Sequence, residues 1–204
     1  MSTAVVAILV ALGFGVMLVR RRSFAIWLLT AQSLLLGVAA LTLAEGGGGL
    51  LVAGLILVVR AVALPALLSL TRRRTPEPGP VAPATTVFVR LLLATVVSLV
   101  AVAATPPLGL GDTAGEHGAI SLLCLGIAIV IMRRPALLQV LGILVAENGV
   151  YLLAVSVDGG LPFAIELGVL FDLALVVTVA AAFARKIHAE VGSGDTDLLR
   201  GLRD

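Results

Sequence analysis

The sequence predicts an all-α, polytopic membrane protein with about seven transmembrane helices. Three observations lead there. Apolar residue types make up 60% of the 204 positions and charged ones only 13%, against roughly 45–50% apolar in a soluble domain, and the mean hydropathy is +1.17. The apolar residues fall in long runs, of about the ~20 residues a helix needs to cross the hydrocarbon core. The basic residues collect at alternate junctions between those runs, as the positive-inside rule requires.

The elements follow in order. The first run, 3–19, has its arginines (Arg20, Arg21, Arg22) after it rather than before it. A cleavable signal peptide has the opposite order, so this run is read as a span. Further spans are expected at 23–44, 50–70, 87–105, 117–132, 136–157 and 163–184. The fifth is short enough to be re-entrant, and charge decides for a full crossing. With seven spans, Arg20 to Arg22, Arg72 to Arg74, Arg90 near the end of its span, Arg133, Arg134, Arg185, Lys186, Arg200 and Arg203 share one side, and only Arg60, inside the third span, is left over. The other side carries Glu45, Asp112, Glu116 and Asp158 and no lysine or arginine. Without the fifth span, Arg133 and Arg134 would change sides. The basic side is expected to be cytoplasmic, with the N-terminus outside and the C-terminus inside the cell membrane.

The loops agree. Gly46 to Gly49 and the pair Gly159 and Gly160 suit short external turns, where glycine admits positive φ freely. Thr75 to Pro83 is a proline-rich linker, and Pro135 stands where a first helical residue needs no N–H. The chain thus divides into an N-terminal three-helix unit (1–74), a cytoplasmic linker (75–86), a connecting span (87–105), a second three-helix unit (117–187) and a cytoplasmic tail (188–204).

An ungapped shift of 112 residues brings Arg21 and Arg22 onto Arg133 and Arg134, Gly37 onto Gly149, Gly47 and Gly48 onto Gly159 and Gly160, and Arg73 and Arg74 onto Arg185 and Lys186. The same shift places Arg60 on Asp172. Two parallel three-helix units joined by a linking helix would produce this pattern. So would membrane topology alone, which drives arginines to helix ends and glycines to turns. If the units are related, Arg60 and Asp172 share a depth near the midplane with opposite charge, and could offset each other's burial.

Polar residues inside the spans carry the functional signal. Glu147 and Asn148 lie mid-way along the sixth span and Asp172 mid-way along the seventh. A charged side chain at that depth is unfavourable by about 2.5–3.5 kcal/mol on insertion scales, so it faces protein or water and commonly marks an ion or proton path. Glu147 and Tyr151 are four apart and Asn148 and Tyr151 three apart, so each pair shares a helix side. Burial raises the pKa of such a carboxyl and a nearby cation lowers it, so a group held between the two can relay protons. A static hydrogen-bonded acid is the structural alternative. Glu166, about 9 Å nearer the outer surface than Asp172, suits the interface. Gln32 and Ser33 suit helix–helix adhesion, and Gln139 could line an entry from the cytoplasmic side. His117 and His188 flank spans, and Cys124 is solitary within an apolar run, which leaves no disulfide framework or cysteine metal site. No nucleophile–base pair, phosphate loop, haem or iron–sulfur ligand set is present. The chain is therefore expected to be no enzyme by itself and to hold no cofactor or metal, and a net charge of +2 offers no case for nucleic acid.

The segment from Arg133, Arg134 and Pro135 through Glu147, Asn148 and Gly149 to Arg185 and Lys186 resembles subunit K of the proton-pumping NADH–quinone oxidoreductase (complex I). It is also similar to component C of multisubunit sodium/proton antiporters. The chain most resembles component E of hydrogenase-4, a membrane subunit of formate hydrogenlyases. To that family belong the Glu-Asn-Gly of the penultimate span, a Glu and an Asp in the last span as at Glu166 and Asp172, and the Ala-Arg-Lys-Ile of 184–187. Ala31-Gln32-Ser33 and the mid-helix Arg60 with Pro65 extend the likeness over nearly the whole chain. In the subunit K pattern the acid stands one turn earlier, where this chain has Leu144.

The resemblance implies a non-catalytic membrane subunit of a complex I-like, proton-translocating assembly, of the group 4 [NiFe] hydrogenase or formate hydrogenlyase type. Its partners would be antiporter-like membrane subunits, a hydrogenase-like or other redox module and the lipid bilayer. Glu147, Asp172, Arg60, Glu166, Tyr151 and Asn148 would be its proton-relay residues. A cation/proton antiporter without redox chemistry, a structural spacer and a small homo-oligomeric transporter are the alternatives. Direct pairing of Arg60 with Asp172 predicts that Arg60→Asp and Asp172→Arg each block assembly, as read by co-purification with partner subunits, and that the double exchange restores it. Failure of the double exchange removes the pairing.

Overall fold

A computed structural model describes residues 1–43, 86–133, 135–157 and 178. The expected spans at 50–70 and 163–184, the linker and the tail lie outside the described residues, Thr178 apart, and with them Arg60, Glu166 and Asp172. The described residues form five helices: α1 (Thr3–Leu18), α2 (Arg22–Leu43), α3 (Val87–Ala104), α4 (Thr113–Met132) and α5 (Ala136–Val155). These match the first, second, fourth, fifth and sixth expected spans. Four of them, α2 to α5, are long and apolar enough to cross a membrane. With 16 residues, α1 reaches about 24 Å, short of a ~30 Å hydrocarbon core.

Local chemistry sets the helix starts. Ser2, Thr86 and Asp112 each place a side-chain oxygen on a first-turn N–H, of Val5, Val89 and Gly115 respectively, which satisfies donors that the helix itself leaves open. The Asp112 cap corrects the fifth span. It begins at Thr113, not at 117, and the 20-residue helix is too long to need a re-entrant form. Glu116 and His117 consequently lie inside α4 instead of flanking it. Ahead of it, Gly109 and Gly111 hold φ values of 72° and 86°, a left-handed backbone that side chains oppose, and Gly111 bridges to Val157 beyond the end of α5.

The helices pack as two antiparallel hairpins laid side by side. α1 pairs with α2 and α4 with α5, while α1 also lies on α4 and α2 on α5. The 112-residue shift places α1 within α4 and α2 over α5 together with Arg134 and Pro135. The third helices that a duplication also requires lie outside the described residues. α3 leans on α4 and, less closely, on α1. It buries only the stripe Arg90, Ala94 and Ser98, and Phe88, Leu92, Leu99 and Val100 project outward.

The tightest contact joins α4 to α5. A Cβ on Gly126 would stand 2.6 Å from the Gly142 carbonyl oxygen. One on Gly142 would stand 2.9 Å from the Gly126 carbonyl, and one on Gly149 would stand 2.8 Å from the Ala119 carbonyl and from the Leu123 nitrogen. The two backbones touch. Between membrane helices there is little hydrophobic drive, so close packing at small residues supplies much of the association. Around this contact Leu122, Leu125, Ile129, Leu141, Leu144 and Leu152 are fully enclosed.

Substituting Gly126 by alanine forces backbone against backbone, whereas at Gly15 the added methyl would meet the flexible tip of Leu28 at 3.0 Å. Gly126→Ala should therefore destabilise the purified protein by about 1–3 kcal/mol, and Gly15→Ala by clearly less. Reversible unfolding in mixed micelles is the measurement, and equal losses at the two positions would contradict the backbone contact.

Candidate functional site

At mid-depth three helices contribute to one buried polar cluster. Gln32 and Ser33 come from the middle of α2, Asn148 from α5 and the Leu9 carbonyl from α1. Gln32, Ser33 and Asn148 are each at most 1% exposed. The Asn148 Nδ2 donates to Gln32 Oε1 at 2.9 Å and to Ser33 Oγ at 3.1 Å. The Ser33 hydroxyl lies 3.3 Å from Asn148 Oδ1. Gln32 Nε2 donates to the Leu9 carbonyl at 2.8 Å.

That last bond depends on a glycine. A helical carbonyl has a second lone pair, but the side chain one turn later normally covers it. At Gly13, one turn after Leu9, an added Cβ would lie 3.2 Å from Gln32 Nε2 and 2.8 Å from the tip of Leu125. Glycine here exposes the Leu9 carbonyl and admits both neighbours. The helix-adhesion role expected of Gln32 and Ser33 is what their hydrogen bonds perform.

Glu147 precedes Asn148 and is therefore turned about 100° from it around α5. Because α2 holds Asn148 and the glycine seam holds the opposite helix, the direction of Glu147 is set by its neighbours. The residue is partly buried and both its carboxyl oxygens are shielded from solvent. Tyr151, one turn on, is 3% exposed, and Gln139, nearer the start of α5, is partly buried. The amides cannot exchange protons at ordinary pH, whereas the Glu147 carboxyl and the Tyr151 phenol on the same helix are ionisable groups. Among the described residues no cluster of His, Cys, Asp and Glu could hold a metal ion.

No protein-family model matches the chain, and no solved structure does. It is similar to a curated protein, Uncharacterized protein Rv0085 of Mycobacterium tuberculosis. The two are 29% identical over 86 residues, which is 42% of this chain and 39% of that protein. The chain therefore spans well under half the length of the relative it matches. That likeness carries no activity.

Two buried charged residues escape a reading of the sequence. Arg90, an end-of-span charge by position, is 1% exposed. Its signal is the four-residue spacing to Ala94 and Ser98, a single narrow face of small residues. Glu116 is also buried, and its two oxygens accept from the Leu108 and Leu110 N–H groups at 3.0 and 2.8 Å. It secures the loop before α4, much as Asp112 secures the helix start. Burial acts to raise the Asp112 carboxyl, but the hydrogen bonds it accepts outweigh that and hold it below the usual carboxylate range.

Because Asn148 and Gln32 satisfy one another inside an apolar bundle, their effects should not add. Asn148→Leu and Gln32→Leu should each destabilise the protein, and the double variant should lose less than the sum. The expected coupling is about 0.6–1.7 kcal/mol, measured by a double-mutant cycle in micelles. Strict additivity would show that the amide contact holds nothing together.

Proposed function

We propose that this chain is a non-catalytic membrane subunit of a complex I-like, ion-translocating assembly, in which the Glu147 carboxyl forms part of a proton path. One observation carries the reading. Glu147 presents a shielded carboxyl near the middle of a membrane-length helix, next to an amide network that fixes the rotation of that helix. Intramembrane acids of this kind serve ion and proton pathways far more often than adhesion. The resemblance of Glu147, Asn148 and Gly149 to the Glu-Asn-Gly of hydrogenase-4 component E supports the same reading. It also suggests the partners, a [NiFe]-hydrogenase-like or other redox module with antiporter-like subunits. Asp172 and Arg60 would extend the path from neighbouring spans, with Glu166 at its outer end.

A second reading, a spacer that seals and positions its neighbours, draws support from the same network. Gln32, Ser33 and Asn148 form a static, hydrogen-bonded clasp, and such clasps are what a purely structural bundle needs.

Glu147→Gln separates the two. In the assembled complex, reconstituted in vesicles, it should abolish or reduce proton translocation at least about tenfold while the subunits still co-purify. A tenfold loss corresponds to about 1.4 kcal/mol in the transport barrier. Full translocation in the assembled variant would leave the spacer reading in place. Mass spectrometry of proteins co-purified with the wild-type chain identifies the partners, and recovery of the chain alone as a homo-oligomer would reject the assembly.

A further inference from the structure

At the end of the bundle opposite Asp112, three helix ends meet: the C-terminal end of α1, the N-terminal end of α3 and the C-terminal end of α4. Two guanidinium groups are enclosed there. Arg90 donates from Nη1 to the Met17 carbonyl at 3.4 Å, and Arg133 donates from Nη2 to the same oxygen at 2.6 Å and to the Val19 carbonyl. Both side chains are at least 97% buried, with 1% and 3% exposed. Arg90 Nε and Nη2 and Arg133 Nε are buried without any hydrogen-bond partner.

Among the described residues the charges there do not balance. The carbonyl end of a helix supplies about half a negative charge to two full cations. Neither arginine has a carboxylate partner among the described residues, and Asp112, at the other end, pairs with the N-terminal ammonium. The Arg133 guanidinium is pushed down to about 10, first by burial and then by the cations of Arg90 and Arg20. A cation enclosed without an anion is strongly unfavourable, so the arrangement calls for a negative group.

We propose that Arg90 and Arg133 form a binding site for a phosphate group. Nε and Nη2 make up one edge of a guanidinium, the fork that takes an oxyanion through two parallel hydrogen bonds. On Arg90 that whole edge is unfilled, while the opposite nitrogen is spent on Met17. Arg133 Nε adds a third donor from a second helix. A carboxylate fills one fork in one plane, whereas the tetrahedral oxygens of a phosphate accept from two guanidiniums at once.

Position supports the same ligand. Arg90 lies in the first turn of α3 and Arg133 caps α4, so both stand where membrane helices end and lipid phosphates begin. The outer face of α3 beside them is apolar and exposed through Phe88, Leu91 and Leu92, a surface for acyl chains. A phosphate held here lies between α1, α3 and α4, whose ends carry its donors and the carbonyls they already share. The source is a phospholipid headgroup or free phosphate. The site does not depend on the ion-translocation reading.

The test uses the full chain, delipidated in detergent, with thermal unfolding followed during titration. Saturable stabilisation by phosphatidylglycerol but not by inorganic phosphate supports a lipid source, and stabilisation by inorganic phosphate alone supports a soluble one. Arg90→Lys keeps the charge and loses the fork, and should weaken the apparent affinity roughly tenfold. Arg133→Lys provides the same reading if the first variant does not fold. Native mass spectrometry of the wild-type protein needs no variant, and a retained phospholipid or phosphate adduct supports the site. The proposal falls if neither ligand stabilises the protein, if both lysine variants bind as the wild type does, or if acetate stabilises it equally, which would assign the forks to a carboxylate.

Discussion

The contact between α4 and α5 sets the position of the polar groups described above. Gly126 and Gly142 bring two backbones together with no side chain between them, so neither helix can rotate or slide without opening a gap that lipid would fill poorly. With α5 held in this way, Asn148 is presented to α2 and Glu147 to a direction about 100° away. A helix bound only by interchangeable leucines would have no such preference, because apolar side chains pack about as well against lipid as against protein.

The buried polar groups obey a second constraint. No water is available in the hydrocarbon to satisfy them, so each must find a partner inside the bundle. The amides of Gln32 and Asn148 do so with each other, with Ser33 and with a helical carbonyl that Gly13 exposes. Glu116 does so with two backbone N–H groups of the preceding loop. Adhesion at mid-depth thus rests on amides and a hydroxyl, and the carboxyl beside them is Glu147.

Charge is separated along the bundle. Among the described residues the acids Asp112 and Glu116 lie at the end where α1 and α4 begin, and Arg90 and Arg133 at the end where they finish. The acids are satisfied by backbone N–H groups at a loop and a helix start. Carbonyls at the end of α1 accept from the arginines, yet the geometry there leaves three donors over. The two ends therefore differ in more than sign. Among the described residues one is closed by acceptors and donors that meet, and the other keeps guanidinium donors to spare.

Much of the fold was legible in the sequence. Apolar run length and the placement of arginines gave α1 to α5 to within a few residues, because the bilayer imposes both length and charge placement on any chain that crosses it. The one sizeable error, the start of α4, arose because a capping aspartate and a buried glutamate read as loop polarity until a helix N-terminus is seen to need acceptors. The polar character of Gln32, Ser33, Glu147 and Asn148 at mid-span was equally plain. Which of them meet was not, since Gln32 and Asn148 are 116 residues apart and nothing in either helix alone chooses the partner. That choice, like the enclosure of Arg90 by the ends of α1 and α4, belongs to the tertiary structure. Hydropathy and charge report how deep a residue lies, but only close packing between helices decides how each is turned.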